Sequence, residues 1–162
     1  MKIFLTILSF LFFCTIASAQ ATANFTASAT IIQPISISTI SNLNFASIDA
    51  KEGGDVILTP QGERLVLGDV ELSDGSVVTA ASFEVIGQPG TTFSVSLPDS
   101  RSQLINGSEK MVLKDFTSST GSGDLSTGKT SVKVGATLEI NPQQAPGFYS
   151  TPTPLLVTVN YN

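Results

Sequence analysis

Apolar residues recur at every second position along most of this chain, and that period decides what it can fold into. Ala21, Ala23, Phe25, Ala27, Ala29 and Ile31 alternate with Thr22, Asn24, Thr26, Ser28 and Thr30. Phe93, Val95 and Leu97 alternate with Thr92, Ser94 and Ser96, and Val132 to Ile140 and Leu155 to Tyr161 do the same. A period of two places one face of a strand on a core and the other in water. Nowhere do apolar residues keep helical spacing over three turns. Gly53-Gly54-Asp55, Asp74-Gly75, Gln88-Pro89-Gly90, Asn106-Gly107 and Asn141-Pro142 punctuate the runs with turn chemistry. Arg64 to Leu72 and Val77 to Gly87 read as two strands of a hairpin joined through Ser73 to Ser76. Thr117 to Thr130, rich in Ser, Thr and Gly, reads as a long polar loop between strands. The expected fold is all-β: a single antiparallel β-sandwich of Greek-key, immunoglobulin-like type.

The start of the chain follows different rules. Lys2, the apolar run Ile3 to Ile16, and Ala17-Ser18-Ala19 before Gln20 have the layout of a secretory leader. The run is too short for a membrane span, which needs about 20 apolar residues, and no basic cluster follows it. Residues 1–19 are therefore expected to be a leader and 20–162 one domain, placed in the periplasm, at the outer surface or outside the cell. Cys14 is the one cysteine and falls within the leader. The mature chain would then hold no thiol, and its stability would rest on packing. About 143 residues suffice, since a domain near 150 buries roughly 68–70% of its unfolded surface. With 8 basic and 13 acidic residues the net charge is −5, which disfavours nucleic acid and anionic lipid as partners.

Residue inventory restricts the chemistry further. The chain has no histidine, so Ser-His-Asp and Cys-His arrangements and His/Cys zinc sites are unavailable. A carboxylate pair could serve a glycosidase. Yet Asp49, Glu52, Asp55, Glu63, Asp69, Glu71 and Asp74 all sit near turns or on polar strand faces, where solvation explains them. No EF-hand spacing of calcium ligands occurs. Gly123-Asp124-Leu125-Ser126-Thr127-Gly128-Lys129-Thr130 matches the phosphate-binding loop letter for letter. That loop requires a helix after it, whereas Ser131 to Ile140 alternates as a strand, so the match is a coincidence of composition. With no Trp, and with Phe25, Phe45, Phe83, Phe93, Phe116 and Phe148 expected in the core, an aromatic sugar platform is disfavoured. The sequons at Asn24 and Asn106 carry no assigned role. The expectation is a protein without enzymatic activity, cofactor or metal.

Val134-Gly135-Ala136-Thr137-Leu138, Gln144 to Tyr149 and Val157 to Asn162 resemble the closing block of a bacterial family, domain of unknown function family 4402. Ala23-Asn24-Phe25 through Leu43-Asn44-Phe45, Gly62-Glu63-Arg64, and Ala80 to Phe83 with Val85 and Gly87 are similar to its earlier parts. The family pattern carries Gly after the Asn-Phe pair, where this chain has Ala46. The resemblance implies secretion and no particular activity. Gly147, the strand Leu155 to Tyr161 and the penultimate Tyr161 look, more loosely, like subunits of chaperone–usher pili. That likeness implies a fold completed by a strand from a neighbouring subunit, with copies of the chain or related surface subunits as partners. Phe25, Ile31, Leu155, Val157, Val159 and Tyr161 are the candidate strand-pairing residues. Burying the last four would contribute roughly 6–12 kcal/mol gross, at about 1.5–3 per side chain. Two readings of residues 20–32 stay open: a donor strand, or the first strand of a self-contained sandwich, toward which the preponderance of alanine tilts. The functional expectation is a structural or adhesive surface protein, pilin-like. The alternative is a binding module that takes a glycan or protein through its loops, Thr117 to Thr130 foremost.

Overall fold

A computed structural model of the chain describes residues 19–73, 75 and 77–162. The segment read as a leader, with Cys14, lies outside these, save for Ala19, and so do Asp74 and Ser76. Among the described residues there is no helix, and none therefore long and apolar enough to cross a membrane.

Among the described residues twelve strands form in chain order: β1 (Ser36–Ser41), β2 (Ile48–Asp49), β3 (Gly54–Leu58), β4 (Arg64–Gly68), β5 (Glu71–Leu72), β6 (Ala81–Ile86), β7 (Thr92–Ser96), β8 (Ser102–Asn106), β9 (Glu109–Ser118), β10 (Ser122–Asp124), β11 (Lys129–Ile140) and β12 (Thr158–Tyr161). All pairings are antiparallel. The largest sheet runs β1-β6-β11-β3-β4, with β9 also along β11 and β8 outside β9. A second sheet has the order β10-β7-β12, and β2 pairs with β5. The all-β, antiparallel sandwich class expected from the alternation is the one observed.

The long strand β11 organises the molecule. Residues 137–139 pair with β3 and β9 at once, and Val134 pairs with β6 and β9. One edge of β11 therefore belongs to β9, while the other is shared: β6 along its first half, β3 along its second. The hand-over falls at Gly135. A Cβ there would run into the Leu58 carbonyl and the Thr59–Pro60 peptide, so only glycine lets β3 leave the ladder at this point.

Two apolar clusters follow from this division. Core one gathers Phe45, Val56, Leu58, Val70, Met111, Leu113, Ala136, Leu138 and Ile140. Core two gathers Val85, Phe93, Leu125, Val132, Val134 and Val159. The inward positions of β11 supply both, and Phe116 packs against both.

Several local expectations are corrected. The run Ala21 to Ile31 forms no strand; the first begins at Ser36. Phe25 is 93% exposed and Ile31 97% exposed; a face of mostly alanine buries too little area to offset the ordering of its backbone without the hydrogen bonds of a sheet edge. Arg64 to Leu72 does not pair with Val77 to Gly87: β4 pairs with β3, β5 with β2, and β6 with β1 and β11. Gly68 sits at φ 102° against Gly53 and Gly54 and bends the chain away. The actual hairpin is β3–β4, closed by Thr59-Pro60-Gln61-Gly62. There Gly62 N–H donates to Thr59 C=O at 2.9 Å, and Glu63 N–H donates to Thr59 Oγ1. Pro60 presets the turn and Gly62 takes φ 89°. The expected long loop at Thr117 to Thr130 is interrupted by strand: the end of β9, β10 and the start of β11, with Leu125 fully buried between the last two. Phe148, expected in the core, is 85% exposed. Asn106-Gly107 makes the β8–β9 hairpin turn as expected, and a strand rather than a helix follows the phosphate-loop match.

Candidate functional site

The final strand is where the fold leaves something open. Val159 is buried in core two, while Val157 and Tyr161 pack against that core half-exposed. Leu155 packs instead on core one. The alternation read over Leu155 to Tyr161 holds for burial, but hydrogen-bonded strand begins only at Thr158. Of the four C-terminal candidate residues, Val157, Val159 and Tyr161 thus share core two, while Leu155 is split off onto core one. Phe25 and Ile31, in a unit that ends at Ile31, stand exposed outside any strand.

The register of β12 fixes which of its backbone groups are free. Asn162 N–H donates to Thr92 C=O, in line with Asn160 opposite Ser94 and Thr158 opposite Ser96. In an antiparallel ladder residues facing the partner alternate with residues facing away. Thr158, Asn160 and Asn162 face β7, so Val159 and Tyr161 turn their N–H and C=O groups to the opposite side. Among the described residues β12 pairs only with β7, and β1 only with β6. The two edges border the same core, since Ile35 and Ile37 from β1 pack on it beside Val157, Val159 and Tyr161. They are unpaired edges of different sheets over one apolar floor.

Tyr161 ties this corner. Its hydroxyl donates to Gln33 C=O at 2.7 Å and accepts from Gln88 N–H at 2.6 Å. It sits where a Cβ on Gly87 would stand, so Gly87 is the notch that admits the ring. Gln33 N–H in turn donates to Gln88 Oε1 at 3.1 Å. The sequence offered the penultimate tyrosine as a signal but not its partners, which lie 73 and 128 residues away.

Among the described residues no group of three or more acidic side chains gathers in a way that could hold a metal ion. Asp49 and Glu71 flank Lys51 at 3.0 and 3.2 Å on the surface. This side-chain hydrogen bonding lowers the Asp49 pKa and raises that of Lys51. On the outer face of the large sheet Lys114, with 16% of its side chain exposed, bridges Glu139 at 2.7 Å and Asp55 at 3.2 Å. The three come from β9, β11 and β3. The hydrogen bond from Lys114 is the main reason the Glu139 pKa is lowered, and the same bond raises the Lys114 pKa despite partial burial. The arrangement is a clamp across three strands. A shallow cleft of about 430 Å³ lies beside it, lined by Pro98, Asp99, Ser100, Arg101, Lys114, Asp115 and Phe116.

No curated protein and no solved structure matches the chain. The match to a family is extensive. It runs from residue 35 to residue 161 and takes in every strand, the Gly135 junction and the Tyr161 corner. On that match the chain belongs to the family described as Domain of unknown function (DUF4402).

Proposed function

We propose that the chain is an exported structural or adhesive surface protein, without enzymatic activity, whose copies join by strand addition. The observation that carries this reading is the segment 19–35. It has no strand and holds Phe25 and Ile31 in solvent, directly ahead of a folded β domain. An alternating apolar segment left unpaired is a ready strand for an acceptor sheet, because main-chain hydrogen bonds supply affinity and alternate side chains supply fit. The leader-like start and the absence of histidine from the chain support export and a non-catalytic role.

The test is assembly of the exported protein with and without residues 20–32. The intact chain is expected to form a concentration-dependent series of multiples of the protomer mass, and the shortened chain to remain a folded monomer. An intact chain that stays monomeric in every condition, with a shortened form that unfolds, makes the segment an internal strand and ends the proposal.

A second reading has one observation in its favour. The cleft beside Lys114 presents Asp99, Ser100, Arg101 and Asp115 around the half-buried Phe116, a polar surface suited to hydroxyl-rich ligands such as glycans. Glycan-array retention lost in Arg101→Ala would favour it, and no retention on such an array would dispose of it.

A further inference from the structure

We infer that the cleft beside Lys114 is a sugar subsite selective for uncharged residues, with Asp115 accepting from vicinal hydroxyls and Arg101 donating opposite it. The inference rests on the glycan reading given second above, and adds the charge class of the ligand and the residues that choose it.

The cleft forms where the chain passes from the small sheet to the large one. The stretch Leu97 to Arg101, which joins β7 to β8, supplies one wall, and Lys114, Asp115 and Phe116 of β9 supply the other. β9 carries one extra residue here. Thr137 faces Lys114 and Gly135 faces Thr117, so Asp115 and Phe116 together oppose Ala136. In a regular strand residues 114 and 116 would share a face. The bulge separates them: Lys114 stays on the outer face with Glu139 and Asp55, while Phe116 turns onto both cores. Asp115 stands exposed between them at φ 52°.

Glycine would take that backbone more easily, since a Cβ in the left-handed region is strained. No internal ion pair accounts for the choice. Asp49, Asp55, Glu71, Glu84 and Glu139 each meet a lysine, whereas among the described residues Asp99 and Asp115 meet no cation. A strained, exposed carboxylate at the rim of a cleft points to a ligand.

The lining fits a sugar. Each sugar hydroxyl both donates and accepts, and the cleft offers Asp99 and Asp115 as acceptors with Arg101 and the Ser100 hydroxyl as donors. Arg101 touches Glu139 only at 4.0 Å, loosely enough to turn its donors to a ligand. The half-buried Phe116 ring adds apolar surface for the C–H groups of a sugar face. Charge then sets the class. Asp99, Asp115, Glu139 and Asp55 stand against Arg101 and Lys114, four acids to two bases, and Lys114 is already engaged by two of the acids. A uronate or a sulfated sugar meets net repulsion there.

The experiment measures retention of neutral polysaccharides (galactomannan, xyloglucan, dextran, mannan) and charged ones (polygalacturonate, alginate, chitosan) on the immobilised full chain. At least one neutral polymer is expected to be retained, and the charged ones at least tenfold more weakly. Asp115→Gly is expected to melt at the same temperature or higher and to lose retention at least tenfold. Gln143→Gly makes the same backbone change at φ 52° outside the cleft and is expected to leave retention unchanged. Asp115→Asn should narrow the gap between neutral polymers and polygalacturonate. Full retention by a folded Asp115→Gly, with loss in Arg101→Ala, overturns the role of Asp115 while the glycan reading stands. Preferential retention of a charged polymer overturns the charge class and likewise leaves that reading. Retention of no polymer overturns both.

Discussion

Core one and core two are built by the same strand from the same kinds of side chain, yet they end differently. Core one is roofed: β3, β8, β9 and β11 carry it, and Leu43, Ile48, Val66, Leu72, Leu104, Tyr149 and Leu155 pack around it. Turns and loops close its margins, with Tyr149 donating to Ala145 C=O at 2.7 Å and accepting from Gln144 Nε2. Core two is fully dry at Val85, Phe93, Leu125 and Val132 but thins toward β1 and β12. A closed margin therefore belongs to one half of the molecule, and a half-exposed margin to the other.

The largest effect should come from core one. Leu58→Ala removes a fully buried side chain at the Gly135 junction and is expected to lower unfolding stability by about 2–5 kcal/mol in denaturant titration. A loss below 1 kcal/mol would show that this half is not the anchor. Next, Val159→Ala is expected to lower stability by about 1.6 kcal/mol, two methylene equivalents at about 0.8 each. In native-state amide exchange the β12 amides should exchange well before those of β3. Equal protection of β3 and β12 would erase the contrast between the halves.

A gain is expected at the rim of core one. Ala46 occupies φ 61°, beside buried Phe45, with its N–H held by Asn44 Oδ1 at 2.9 Å. A left-handed alanine is strained by about 1–2 kcal/mol, and a glycine adds about 0.4–1 kcal/mol of unfolded-state entropy in return. Ala46→Gly should therefore stabilise by about 0.5–1 kcal/mol, and a loss would mean the methyl packs usefully.

The smallest effect concerns the Lys114 clamp. The Glu139 pKa is lowered from its ordinary 4.5, so its contribution is present above that value and fades as pH falls through the folded pKa. The Lys114 pKa is raised from 10.5, so its contribution is present below that value and fades as pH rises through the folded pKa. The gap in melting temperature between wild type and Lys114→Met should be widest at neutral pH and should narrow at both extremes. A gap that does not change with pH would assign the effect to packing of the lysine stem.

What the sequence could reveal divides along physical lines. Strands such as β7 and β11 were legible because each buries one face and repeats large apolar residues at period two. Residues 21–31 show the same period but fail as a strand, since alternation records direction while area decides occupancy. The β4–β6 hairpin was misread because pairing depends on non-local partners: Gly68 turns at φ 102°, and the nearer signal, Pro60 with Gly62, closes β3 onto β4 instead. At the candidate site Tyr161 could be singled out, but Gln33, Gln88 and the Gly87 notch could not, being joined only through the fold. The free edge of β12 was equally hidden, because it follows from register rather than residue type.

The sharing of β11 between the halves has a mechanical consequence. Because its first half lines core two and its second half lines core one, load borne by core two reaches core one along one continuous backbone as well as across packed surfaces. Along most of its length that backbone is flanked by antiparallel neighbours, so a pull parallel to it loads their hydrogen bonds together in shear instead of unzipping them singly. Gly135, where one neighbour replaces another, is the point at which such a tether should first give way.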